Sequence, residues 1–372
     1  MACFFPEGFD TDQDIFAMKV RAMHGCAMCM FEQEKGHSVL SQKGLCKLLH
    51  VLNFLRIMMQ AFQQHEHLCW QIYNGSLNIY NICRYLMTMN RSAQALEYLL
   101  WASISVELSI PLMTAKYLPW IVTLYCAVCH CYYDNQADLQ AEKFARRALG
   151  KINDLAKMED VPTTRECQRA YKESSVKLAA MIFKRAVYVA RKRPKTRLKI
   201  KIQSTLKDMH NAPWPRTMTE RILMGLFDSS AAQFFAISEA LWDSTRKPLQ
   251  TKMPSEPELQ NVILELLSAG ISILSGTASE SPIALTPTAT LMDFAITGEK
   301  KIPIMSAIRF VKLLFQYKQQ DAFSELAGEM LQVLSGVEGQ SFRRAEMELA
   351  LLDSFKQSAV FSEEPCQKRQ HD

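Results

Sequence analysis

Cys126, Cys129, His130 and Cys131 crowd into the string CAVCHCYYD, and thiolates with an imidazole are the usual ligand set of a tetrahedral zinc ion. On a helix, Cys126, Cys129 and His130 share one face while Cys131 points elsewhere. No second C-x-x-C pair lies at the distance that would complete such a site, so these cysteines read as core residues. His65, His67 and Cys69 in HEHLC make a weaker set, because alternate residues diverge around a helix, and the string reads as a helix start. For catalysis the chain offers no glycine-rich phosphate loop, no G-x-S-x-G elbow, no H-E-x-x-H and no acidic pair with a supporting motif. The expectation is a protein that is not an enzyme, with no metal or other cofactor and no small-molecule substrate.

The strongest chemical signal is charge. RKRPKTRLKIK places Arg191, Lys192, Arg193, Lys195, Arg197, Lys199 and Lys201 in one run without an acid. From Lys184 to Lys207 there are ten basic residues and no acidic one, which leaves 33 basic against 38 acidic elsewhere. The formal net charge of +5 thus comes from this one segment. Three readings fit the run: a solvated helix end and loop, a patch for an acidic protein surface such as a tubulin tail, and a nuclear-import or nucleic-acid segment. The lack of interleaved aromatics, and of a surrounding nucleic-acid-binding fold, argues against direct nucleic-acid recognition. Arg197 to Ile202 alternates charged with apolar residues, which suits an extended edge whose positive side faces a partner.

The elements that position these residues are helical. At 372 residues, 48% hydrophobic and 22% charged, the chain has the composition of a folded protein with room for two or three compact units or one elongated array. Eleven cysteines, an odd count set mostly in apolar helical runs, read as reduced thiols. No window reaches the roughly 20 apolar residues of a membrane span, and no signal stretch opens the chain. A cytosolic compartment is therefore expected.

Residues 1–44 show no clear period. The spacing of Leu48, Leu49, Leu52, Leu55, Met58 and Met59 predicts a helix from Leu45 to Gln64. Between His67 and Met158, apolar-periodic runs broken at Asn90-Arg91-Ser92 and Asp134-Asn135-Gln136 predict two helical hairpins. Aligning Ala95 with Ala141 brings Tyr98 onto Phe144 and Ala102 onto Ala148. This is the small–aromatic–small logic of tetratricopeptide arrays, at a longer period than their roughly 34 residues. Tyr171–Lys192 and Thr219–Trp242 suggest a third helix pair. Pro213-Trp214-Pro215 followed by Thr217 and Glu220 predicts a capping box that starts the second of these at about Thr217. The reading is an all-α, irregular TPR-like helical-hairpin array (α-solenoid) over 45–275, with the basic segment at 184–207. A Ser/Thr/Pro/Ala linker follows at 276–302, then C-terminal helices at 303–360 and a polar tail at 361–372. By architecture alone the chain reads as a cytosolic TPR-like adaptor, with nucleic-acid-binding or zinc-dependent roles behind it.

Several long strings resemble the cilia- and flagella-associated protein 54 family: FFPEGF at Phe4 to Phe9, EHLCWQIYNGSLNIYNICRYLM at Glu66 to Met87, SAQALEYLLWAS at Ser92 to Ser103, YCAVCHCYYD at Tyr125 to Asp134, EKFARRAL at Glu142 to Leu149 and PWPRTMTER at Pro213 to Arg221. They keep the family's order over roughly two thirds of the chain. The resemblance implies a structural role in motile cilia and sperm flagella, in the central apparatus of the axoneme. It further implies a place in the cytoplasm and cytoskeleton, with axonemal partners such as tubulin or central-apparatus subunits. No enzymatic activity, cofactor or catalytic residue comes with it. Family members run to thousands of residues, so this chain is expected to correspond to an N-terminal portion, a short isoform or an incomplete gene model.

Overall fold

The computed structural model describes residues 13–37, 39–63, 65–158, 164–192, 213–242, 257–278, 284–287 and 301–362. The chain is all-α in class and divides into two units, Met1–Ser174 and Ser175–Asp372.

The first unit contains α1 (Gln13–Lys35), α2 (Gln42–Phe62), α3 (Cys69–Thr88), α4 (Ser92–Leu108), α5 (Leu118–Asp134), α6 (Asp138–Met158) and the start of α7 (Arg165–Lys192). Helix α1 falls in the stretch whose sequence shows no period. Its buried stripe is Val20, His24, Ala27 and Phe31, and the histidine in one of the four places blurs the apolar pattern. Helix α2 opens on Ser41, whose hydroxyl accepts from the Gly44 N–H at 3.0 Å. By length and composition α2 is apolar enough to cross a membrane, but it buries Leu48, Leu52, Leu55, Met59 and Phe62 within the protein.

The helices of this unit form two layers. In one, α1, α3 and α5 meet through aromatic rings: Phe31 against Tyr85 at 5.7 Å, and Trp120 against Tyr80 at 5.2 Å. Trp120 also donates its indole N–H to Ser76 Oγ at 2.9 Å. In the other, polar contacts link α2 to α4 and α4 to α6. Arg56 Nη1 lies 2.8 Å from Glu97 Oε1, and Gln63 Nε2 donates to Ser105 Oγ at 2.8 Å. Glu107 receives Arg147 at 2.6 Å and also Lys151.

The two predicted hairpins share their turn chemistry residue for residue. Asn90 and Gln136 both adopt φ 58°, the left-handed conformation that ends a helix. The Asn90 and Arg91 N–H groups bond back to Met87 and Leu86, and those of Gln136 and Ala137 bond to Tyr133 and Tyr132. Ahead of each turn a buried thiol of the first helix reaches the second: Cys83 Sγ donates to Ala95 O and Cys129 Sγ to Ala141 O, both at 3.7 Å. Ala95, Tyr98 and Ala102 are buried, and so are Ala141, Phe144 and Ala148. The small residues let the helices approach while each ring fills the groove.

The second unit takes the rest of α7, then α8 (Met218–Leu226), α9 (Ser230–Leu241), α10 (Pro257–Leu274), β1 (Ala284–Thr286), β2 (Lys301–Pro303), α11 (Ile304–Gln316), α12 (Gln320–Ser335) and α13 (Gln340–Ser362). The two strands pair in parallel, a small sheet inside the stretch read from sequence as a linker. The helix predicted over Thr219–Trp242 is two helices. Phe227 is extended and Ser229 restarts the chain as a cap, its hydroxyl accepting from the Ala232 N–H, so the local capping chemistry wins over the continuous apolar run. The core centres on Phe183, Phe234, Leu266, Phe310 and Phe323. The Phe310 ring meets that of Phe234 at a tilt, 5.2 Å between centroids, and packs so closely on Gly270 that a Cβ there would sit 2.4 Å from the ring.

The string PWPRTMTER builds a buried polar clamp in this unit. Thr217 and Glu220 form the predicted capping box, and Glu220 also binds the Arg216 guanidinium at 2.9 Å. Arg216 continues to Ser272 Oγ at 2.8 Å and lies over the Trp214 ring, while Thr219 donates to Glu265 at 2.6 Å. These bonds tie α8 to α10.

Candidate functional site

Helix α4 has only two charged residues, Glu97 and Glu107, and carries apolar side chains on every side. A helix of that composition is made to be covered all round. Within the first unit, Ala95, Leu99, Ala102 and Val106 are buried against neighbouring helices. The remaining face carries Trp101, half-buried, then Ile104 at 42% exposure and Leu108 at 67%, and Ile110 just beyond the helix is 74% exposed. Positions 101, 104 and 108 recur at helical spacing and form a ridge. Phe54 and Ile57 of α2, both exposed, lie on the same layer, where Arg56 bridges to Glu97. Single exposed leucines are ordinary, but a contiguous patch of a few hundred Å² marks a binding surface.

The electrostatics at one border of this face are uneven. The Glu107 side chain is almost fully buried, and its single carboxylate receives both Arg147 and Lys151 of α6. One negative charge cannot neutralise two cations, so the α6 border keeps a net positive charge, with Lys143 exposed nearby in sequence. Tyr125 lies beneath, where burial and the neighbouring Glu107 carboxylate push its phenol well up. An apolar ridge with a cationic edge is chemically suited to an amphipathic helix whose own edge is acidic.

The residues singled out from the sequence fall elsewhere. Arg191 and Lys192 are the last two residues of α7, while Arg193, Lys195, Arg197, Lys199 and Lys201 lie outside the described residues. The first lysine of the basic segment is described: Lys184 donates to the Trp242 carbonyl at 3.3 Å within the second unit. Cys129, His130 and Cys131 are buried inside the first unit, and Cys126 is partly so. Burial, with Asp134 adding to it, pushes the Cys131 thiol well up, so it stays protonated. His65 stands at the N-cap of, and His67 lies within, the short 3₁₀ turn Glu66–Leu68 that leads into α3, in keeping with a helix start. The ridge of α4 was not read from the sequence, although a 17-residue helix with two charges and no polar face was the available signal.

Comparison with known proteins agrees with the strings noted above. The family described as cilia- and flagella-associated protein 54 matches residues 1–365. The mouse (Mus musculus) protein of that name is 38% identical over 358 residues, covering 94% of this chain and 11% of its own length. The human (Homo sapiens) protein is 38% identical over 360 residues, with 94% and 12% covered. The protein of the same name from Chlamydomonas reinhardtii is 28% identical over 162 residues, 41% of this chain and 5% of its own length. The chain thus spans about a ninth of the length of its mammalian relatives. With the match running almost end to end, the chain belongs to the cilia- and flagella-associated protein 54 family.

Proposed function

We propose that this chain is a structural subunit of motile cilia and flagella, acting through protein–protein contacts rather than turnover. The observation that carries the proposal is the family match over residues 1–365. The uncovered face of α2 and α4 supplies a physical means, since an apolar ridge of this kind gains free energy when another helix covers it. In this reading the chain sits in the cytoskeleton of the axoneme, at the central apparatus. Its partners are other axonemal proteins, including tubulin or central-apparatus subunits.

The basic run Arg191, Lys192, Arg193, Lys195, Arg197, Lys199 and Lys201 serves as a second contact, steering acidic partners by long-range attraction. Immunolocalisation with an epitope in Asp138 to Lys157, in detergent-extracted flagella and multiciliated cells, tests the whole reading. Signal along the axoneme is expected; signal in the detergent supernatant or in nuclei contradicts it. Charge reversal across the basic run should weaken retention and flatten its salt dependence, and unchanged retention would remove the run from the account.

A further inference from the structure

A cavity of about 80 Å³ lies in the second unit between α9, β2 and the first turn of α11. Its lining is mixed: Phe234, Phe235 and Ile302 are apolar, and Ser238, Ser306 and Arg309 are polar. Three observations give the polar groups a demand for an acceptor. Ser238 is 4% exposed, and its hydroxyl, which on a helix usually bonds back to a carbonyl one turn earlier, has no hydrogen-bond partner among the described residues. Helix α11 starts without a side-chain cap: Pro303 stands at the N-cap, and no acid occupies the first turn. Its first N–H groups therefore present the positive end of a 13-residue helix to the cavity's edge. Arg309, one turn further along, is held in place with its guanidinium 3.7 Å over the Trp242 ring and 3.3 Å from Glu239. The Trp242 indole N–H is itself buried without an acceptor among the described residues.

Donors converging on a small space call for an anion. The volume admits one compact group. The apolar residues of the lining suit a short aliphatic stem, and Glu239 beside Arg309 disfavours a doubly charged phosphate. We infer that this cavity binds a single carboxylate on a short aliphatic stem, carried either by a free acid or by an acidic side chain of another protein. The site is separate from the α4 ridge and does not depend on the proposed ciliary role.

The test uses the full chain and Ser238→Ala, which removes the hydroxyl while keeping a good helix former. Propionate, N-acetylglutamate amide and a short glutamate peptide are titrated by calorimetry, with N-acetylglutamine amide and chloride at matched ionic strength as controls. The acids should bind, the controls should not, and Ser238→Ala should weaken binding about tenfold, the loss of one charge-assisted hydrogen bond. Its thermal stability without acid should be unchanged or higher, because an unsatisfied hydroxyl has been removed. Tighter binding of the peptide than of propionate would identify a protein side chain as the source, and the reverse order would identify a free acid. Absence of acid-specific binding, or equal binding by Ser238→Ala, overturns the inference.

Discussion

Replacing Glu220 by Gln should be among the most damaging single changes in the second unit, although it alters one atom. Glu220 is fully buried, and Arg216, its partner at 2.9 Å, is 7% exposed. The same carboxylate accepts from the Thr217 N–H at 3.0 Å and from the Arg216 N–H. In Glu220→Gln the amide oxygen can keep one of these bonds, but the guanidinium, which also meets Ser268, Ser272 and the Trp214 ring, stays buried and loses the carboxylate charge it is paired with. Stranding a buried charge costs about 3–5 kcal/mol. Arg216→Met should cost less, about 2–3 kcal/mol, because the remaining carboxylate still caps α8 and faces its positive end. The double variant should cost less than Glu220→Gln alone, about the 2–3 kcal/mol of Arg216→Met, because removing the guanidinium removes the stranded charge. Urea titration read by hydrogen exchange in α8 and α10 isolates the second unit from the first. A cost below about 1 kcal/mol for Glu220→Gln, or an additive double variant, would refute the clamp as described.

Other consequences can be checked with the same protein. Gly270→Ala should destabilise the second unit by about 1–3 kcal/mol despite alanine's better helix propensity, because its Cβ would meet the rigid Phe310 ring at 2.4 Å; thermal unfolding reads the sign. Burial holds the His24 imidazole below its ordinary value of 6.5, so the unfolded chain takes up the proton first. The first unit should therefore lose stability as pH falls below about 6.5, and His24→Leu should flatten that slope in pH-dependent urea titrations. Thiol labelling near pH 8, mapped by mass spectrometry, should mark the exposed Cys26, Cys29 and Cys46, while the native fold shields Cys83 and Cys131, whose thiols are pushed up by burial.

The sequence was most legible where local rules act alone. The capping box at Thr217 and Glu220, and the pairing of Ala95, Tyr98 and Ala102 with Ala141, Phe144 and Ala148, follow from patterns a few residues long. The break at Phe227 was hidden, because Ser229 as a cap competes with an apolar run that continues on both sides. Helix α1 was hidden by His24 standing in its buried stripe. The short parallel pair β1 and β2 depends on residues far apart in the chain, which no local period reports. The α4 ridge was illegible for a different reason. Periodicity shows that a residue is apolar, and only the packed neighbours show that Ile104 and Leu108 are left uncovered.

The most direct test of the account compares the wild-type chain with Ile104→Asp/Leu108→Asp, expressed in motile-ciliated cells and fractionated with detergent. Both positions are exposed, so the variant should fold with an unchanged thermal transition. The wild type should stay with the axoneme while the variant moves to the supernatant. Equal retention of the two would show that the α4 ridge is not the docking face, and a wild type found wholly in the supernatant would contradict the structural role itself.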